Sequence, residues 1–523
     1  MQKDLLTLNE MFTNAFHNYS KKTALNFKGR SMSYYELRIS SNKIAHSLID
    51  SGIKNNSRVA LLMSNSLEYV ISLMGIYQSG GTRVALNDML GENEILYILR
   101  DSGAKILIVE EKFFQKILNI KDKLPKLNTI VGVSKSGSMP KGFVDWKSFS
   151  EHKFYQDLHT PMSINDYAGI SYTGGTTGKP KGVISNQLST SHLIMSVSLT
   201  SEILDDEVML LTTPLPHASG LYLMAGLLQG VEIHIEDKFN VDSLLKSIEK
   251  YEITFLNMVP TMIYRVLDHL KKRMYDVSSI RTIIYGTAPI TYERLKEALK
   301  VFGQVFIQTY GLTESPGVAT KLSKQDHSLK SIENKKLKSC GQSTMFSRVA
   351  IVDENENERE VNEEGEIIIK ALSNMVGYHN LPDKTNDTLK DGWIYTGDIG
   401  KKDEEGFLYL LDRKKDMIIT GGLNVYSSEV ENAIQKHPLV SQVAVIGVPH
   451  PDWGEAVTAY LMLRNNEEKL TEQDIKNWCK DELSKYKQPK SVYIVESFPL
   501  TPYGKIDKKK LKEPFWSQIG GRI

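Results

Sequence analysis

Cysteine is nearly absent: 523 residues contain two, Cys340 and Cys479. That excludes a disulfide framework, and no Cys/His cluster has the spacing of a metal site. A surplus of charge of one sign is missing too. Lysines and arginines number 64 against 63 aspartates and glutamates, a balance with no nucleic-acid footprint and no demand for an acidic partner. Long hydrophobic runs are also lacking. The longest, Leu221 to Val231, is about half of what a bilayer crossing needs and contains Gln229. The N-terminal MQKDLLTLNEMF has no signal-peptide core. These absences predict a cytoplasmic, reduced protein without a transmembrane segment, and they leave peripheral membrane contact and a homodimer open.

What is present is length enough for two or three compact units. Leu37, Ser41, Ile44, Ala45 and Leu48 share one helical face, with Gly52 where a C-cap belongs. RVALLM (58–63), RVAL (83–86) and KILIVE (105–110) are short, continuously apolar strands, and helices over 66–78 and 92–100 separate them. Helices between such strands predict a parallel sheet covered on both faces. The rhythm returns at ITFLNMV (253–259), RTIIYG (281–286) and QVFIQTYG (304–311). The segment SRVAIVDENENEREVNEEGEIIIK reads as antiparallel sheet. The texture changes near residue 412, where a small α+β pattern begins: helix 427–437, strands 439–448 and 456–463, a helix over 471–486 capped by Thr471, and strand 491–496. The predicted fold is α/β: a large N-terminal domain of stacked α/β sheets with a small β-subdomain (1–411), a hinge (412–416), and a smaller, mobile α+β C-terminal domain (417–523).

The most informative segment runs from Ser171 to Val183: Thr173, Gly174, Gly175, Thr176, Thr177, Gly178, Lys179, Pro180, Lys181, Gly182. Glycines let backbone wrap an anion, while hydroxyls, amides and two lysines meet its oxygens. It is not a Walker loop, because Thr173 stands five residues before Gly178 and Pro180 follows Lys179. The flanks YAGISY and KGVISN read as strands, so the loop should join two strands and fold over phosphates.

This segment resembles the signature of the ANL superfamily of adenylate-forming enzymes, with Gly174 where serine is commonest. Further motifs follow in the order that the superfamily shows. PLPHASG (214–220) resembles the mouth of the acyl pocket, which gives His217 a gating or packing role and places Gly220 beside it, although Pro216 replaces the common phenylalanine. YGTAPI (285–290) and QTYGLTES (308–315) resemble the nucleotide site. By that resemblance Gly286, Thr287, Ala288, Pro289 and Gly311 line it, Tyr310 stacks on adenine, Thr313 donates to the α-phosphate and Glu314 binds Mg²⁺. Ser315 and Gly317 would border the acyl group. Asp398, in GWIYTGDIG (392–400), would accept from both ribose hydroxyls, and Arg413 would contact the ribose or phosphates. Lys415 takes the hinge position. Gly421 and Gly422 either admit a thiol-bearing arm or form a plain turn. In PLTPYGKIDKKKL (499–511), Lys505 matches the catalytic lysine of adenylation, whereas Lys508 to Lys510 read as solvated charges.

The resemblance implies ATP, Mg²⁺ and coenzyme A, with a fatty or aryl carboxylic acid activated as acyl-AMP and then passed to the thiol of coenzyme A. Joining carboxylate to ATP demands neutralised charge and placement more than a covalent intermediate. Lys505 lies on the small domain, so that domain must close to deliver it and then move to admit the thiol. The pocket segment has no carboxylate to pair an amino group, which disfavours an amino-acid substrate. Loading of an acyl carrier protein is the alternative. Luciferase-type oxidation and a non-catalytic adenylate-binding module rank lower.

Overall fold

The computed structural model describes residues 6–173, 179–288, 290–329, 335–464, 470–500 and 506–517. Gly174, Gly175, Thr176, Thr177, Gly178, Pro289 and Lys505 lie outside them.

The described residues form four sheets. One has eight strands, in the order Gly377–Tyr378, Lys181–Asn186, Tyr167–Thr173, Thr82–Ala85, Arg58–Leu62, Ile106–Glu110, Thr129–Val133, Val144–Asp145. It is parallel from Tyr167–Thr173 onward. A nine-stranded sheet carries the parallel neighbours Val208–Leu211, Phe255–Met258, Thr282–Gly286 and Phe306–Tyr310. The strands and helices expected in the first hundred residues form within a few residues of their predicted limits.

Leu67–Gln78 explains how the large sheets combine. Apart from Glu68, every residue of this helix is buried, and a helix apolar on all sides has to lie in the middle of a core. It shares one hydrophobic cluster with Leu25 and Ile233 of the nine-stranded sheet and with Val59 and Ile106 of the eight-stranded sheet. The helices Tyr34–Asp50, Gln187–Thr200 and Ala218–Gln229 add to the same cluster.

An antiparallel sheet follows, built on Ser347–Val352, Gly365–Ala371, Trp393–Lys402 and Leu408–Arg413. The short strand Gly377–Tyr378 leaves it to pair with Lys181–Asn186, which joins the subdomain to the eight-stranded sheet. The last sheet runs Leu423–Val425, Ile418–Thr420, Gly454–Leu463, Val440–His450, with Ser491–Ile494 parallel to Gly454–Leu463. Its core includes Ile418, Val430, Ile434, Val445, Val457, Ile475 and Cys479. Thr471 caps Glu472–Glu482 as expected, its side chain accepting from Asp474 N at 3.2 Å. This helix ends at Glu482, four residues before its predicted limit, where the extended backbone of Leu483 turns that side chain into the core. Both cysteines are free and buried.

Candidate active site

The two strands flanking the phosphate loop are an antiparallel pair in which Thr173 faces Lys181. The loop therefore joins two strands, as the flanks and Pro180 predict. Lys179 is exposed, with Nζ 5.8 Å from the centre of the Tyr97 ring. Lys181 is half-buried. Its Nζ donates to the Tyr378 hydroxyl at 3.1 Å and lies 4.2 Å from that ring's centre.

Gly286 and Thr309 are partners on parallel strands, so Thr287–Ala288 and Gly311–Glu314 emerge side by side at the same sheet edge. Ligands of parallel α/β sheets bind outside this carboxyl edge. Thr287 is exposed and has φ +64°, a left-handed conformation that β-branched residues rarely adopt and that concentrates at functional sites. Gly286 is required by close approach: a Cβ there would sit 2.4 Å from Thr309 O. Gly311 is as restricted, 2.7 Å from Gly317 O, and Gly317 has φ +93°. Thr313 is exposed beyond the strand end.

Tyr310 donates to Asp398 Oδ2 at 2.7 Å. Burial, followed by the charge of Asp398, holds this phenol well above its usual range, so it remains a donor. Its ring packs with Ala319, Cys340, Val349 and Ile351 and is 9% exposed. Tyr310 thus anchors the ribose candidate Asp398. Asp398 faces Arg413 across two antiparallel strands, with Arg413 Nε 2.8 Å from Oδ1. That contact lies off the hydrogen-bond direction, because Oδ1 has no hydrogen-bond partner among the described residues. A carboxylate offers about four acceptor sites, so Tyr310 and Arg413 do not exhaust Asp398. Thr396 and Glu366 fix the preceding turn, through Asp398 N to Thr396 Oγ1 and Gly397 N to Glu366 Oε1, both 3.0 Å.

Glu314 is half-exposed and accepts from the Tyr378 hydroxyl at Oε1, 2.6 Å. No group of three or more His, Cys, Asp or Glu converges among the described residues. One carboxylate with a second oxygen to offer fits Mg²⁺ arriving on phosphates rather than a resident ion in a protein cage.

His217 caps the helix Ala218–Gln229, with Asn87 Nδ2 2.8 Å from its Nε2. Asn65 holds the same turn, donating to Thr213 O and Glu236 O and accepting from Leu215 N. Gly220 is there for packing, since a Cβ would lie 2.2 Å from Leu215 O. Ser315 is 2% exposed and its hydroxyl donates to Asn374 Oδ1 at 2.7 Å, so it ties down the loop that carries Glu314.

Lys415 is exposed within a turn whose Lys414 N donates to Gly397 O at 2.9 Å. Gly421 and Gly422 have φ +58° and +81° between the partners Thr420 and Leu423. A two-residue hairpin turn with positive φ at both positions needs glycine by itself, and the space around both is open. Lys508 departs from its expected solvation. Its Nζ pairs with Glu431 Oε1 at 2.7 Å and donates to Ser427 Oγ at 2.8 Å. Burial alone would lower this amine, but Glu431, Asp416 and Asp412 carry it above its usual value. Helix Lys508–Trp516 turns that residue inward, a placement that a lysine-rich run does not reveal. Sequence reasoning also missed Tyr378, although the pairing of Gly377–Tyr378 with the phosphate-loop strand sets it between two residues singled out in advance.

The chain's likenesses to known proteins agree with this geometry. Residues 12–379 match the AMP-binding enzyme family and residues 429–505 its C-terminal domain. The medium/long-chain-fatty-acid–CoA ligase FadD8 of Mycobacterium tuberculosis is 37% identical over 479 residues, 89% of this chain and 82% of that protein. The fatty acid–[acyl-carrier-protein] ligase ScoC of Streptomyces coeruleorubidus is 31% identical, covering 98% of this chain and 97% of that protein. Among solved structures, ATP-bound MatB from Rhodopseudomonas palustris superposes with a TM-score of 0.87 at 26% identity, over 98% of this chain and 99% of that one. Because both family regions match in order and together span most of its length, the chain belongs to the AMP-binding enzymes.

Proposed function

We propose that this chain is an AMP-forming acid–thiol ligase that activates a fatty acid with ATP and transfers the acyl group to coenzyme A. Acyl-AMP and pyrophosphate form first, and the thiol then attacks the acyl carbonyl to release AMP. The observation that carries the reading is Asp398, fixed beside the carboxyl edge by Tyr310 on one oxygen and Arg413 against the other, next to the strand ends that present Thr287 and Thr313. The likeness to FadD8 supports the acid class and the thiol.

In this reading Asp398 accepts from the ribose hydroxyls while Arg413 offsets its charge. Lys179, Lys181 and the loop between them and Thr173 hold the departing phosphates. Thr313 donates to the α-phosphate, and Glu314 would hold the Mg²⁺ that, when bound, would supply charge neutralisation to the triphosphate. Lys505 donates to the acyl oxygen and α-phosphate as negative charge shifts there, a role whose removal typically costs about 10²–10³ in rate. The domains divide at 412–416, with the pivot at Lys415. A carrier-protein thiol as acceptor is the second reading, favoured by the likeness to ScoC. ATP-dependent thioester formation across fatty, aryl and amino acids, with CoA or a phosphopantetheinylated carrier protein, separates the two. CoA-dependent AMP release with fatty acids is expected. Pyrophosphate release without a CoA product, alongside carrier acylation, would select the second reading.

A further inference from the structure

Two residues of opposite charge lie close to the proposed triphosphate position, and Tyr378 stands between them. Its hydroxyl donates to Glu314 Oε1 at 2.6 Å and accepts from Lys181 Nζ at 3.1 Å, while the lysine rides 4.2 Å from the ring's centre. Lys181 and Glu314 form no direct ion pair among the described residues. A direct pair would spend both charges on each other. A phenol carries one proton and can be donor to a carboxylate and acceptor from an ammonium at once, so it holds both groups without neutralising either.

The mount is rigid on every side. Tyr378 is 6% exposed, and its amide donates to Thr385 Oγ1 at 2.9 Å. On either side of it, Val376 N and His379 N bond to Ile184 O and Gly182 O, at 2.9 and 2.7 Å, which fixes the strand that begins at Lys181. Met375 N donates to Glu314 O at 2.8 Å, which fixes the backbone of the other partner. The phosphate-loop strand and the Glu314 loop come from different large sheets, and this five-residue stretch is where both are tied to one side chain.

We propose that Tyr378 is a positioning residue for the metal-bound triphosphate: its hydroxyl sets the spacing of Lys181 and Glu314, so that the cation meets phosphate oxygens and the carboxylate meets the metal ion. The inference rests on the ATP-dependent reading given above. It predicts a contribution to binding of the triphosphate with its metal and none to binding of the monophosphate, which carries neither the departing phosphates nor their ion.

The test is Tyr378→Phe, which keeps the ring, its packing and the contact with the lysine while deleting the hydroxyl. Calorimetric titration with ATP plus Mg²⁺ and with AMP, without acid or CoA, reads binding apart from turnover. The Kd for ATP with Mg²⁺ is expected to rise about tenfold to a hundredfold, the range for a hydrogen bond to a charged group. The Kd for AMP and the unfolding midpoint should stay within a factor of two and a few degrees of the parent protein. In a cycle with Lys181→Met, the double variant should bind ATP about as weakly as the worse single one, because both changes break one unit. Equal weakening of ATP and AMP, or strict additivity in the cycle, would reduce Tyr378 to a general structural role and overturn the inference. An unchanged ATP affinity would overturn it as well. If the parent protein itself fails to bind ATP with Mg²⁺, the ATP-dependent reading falls.

Discussion

Asp398 shows how one side chain is divided between fold and chemistry. Tyr310 takes Oδ2, Arg413 supplies charge close to Oδ1 without a hydrogen bond, and an acceptor is left over. His327, packed against Tyr285 and Phe306 of the nine-stranded sheet, is wholly committed. It is fully buried, with Nδ1 2.7 Å from Ser323 O and Nε2 2.9 Å from the Tyr285 hydroxyl. Burial pushes its imidazole down to about 4, from 6.5 for an ordinary histidine. The unfolded chain therefore binds a proton that the folded one refuses between these values. Stability from this residue is complete above pH 6.5 and declines as pH falls towards 4, by about 3 kcal/mol at the lower end. His327→Gln should lower stability at neutral pH yet flatten that acid slope. Unfolding midpoints measured from pH 7.5 to 4.5 check this, and parallel profiles for the two proteins would refute it.

At the scale of elements, glycine at 286 decides how closely two strands approach. With Thr309 O in the way of a Cβ, Gly286→Ala has to push apart the parallel pair that presents Thr287 and Tyr310. Overpacking of this kind costs about 1–3 kcal/mol, and here the displacement falls on the proposed nucleotide cleft. The expected result is a lower urea midpoint together with a higher KM for ATP. A midpoint that moves while KM does not would place the strain elsewhere. The terminal helix teaches the opposite lesson. Three adjacent lysines look alike in the sequence, but Lys508 is turned onto Glu431 and Ser427 while Lys509 and Lys510 remain at the surface.

Across the whole molecule, the segment 412–416 connects the antiparallel subdomain to the C-terminal sheet. Asp412, buried at its start, accepts from Ser427 Oγ at 3.2 Å, and Tyr426 donates to Glu364 at 2.7 Å. If Lys415 is the pivot between the two half-reactions, Lys415→Pro should restrict its backbone and impair thioester formation more than adenylation. Single-turnover acyl-AMP formation, compared with CoA-dependent release from preformed acyl-AMP, measures each step. Equal losses in both would remove the pivot role.

Much of this protein was legible in its residues. Short apolar strands between helices dictate a covered parallel sheet, because continuous apolar runs need burial on both faces. The flanks YAGISY and KGVISN dictate a loop between strands, because short apolar runs of this kind bury in a sheet. The order of motifs from Thr173 to Lys505 carried the family and its chemistry. What only tertiary structure decided is which groups share a proton or a charge. Tyr378 between Lys181 and Glu314, Asp398 held by Tyr310, the inward turn of Lys508 and the neutral His327 all join residues tens to hundreds of positions apart. Local sequence sets backbone preference and amphipathic pattern, both short-range properties. Hydrogen-bond partnership and desolvation depend on what arrives from elsewhere in the chain, and only the packed molecule brings it there.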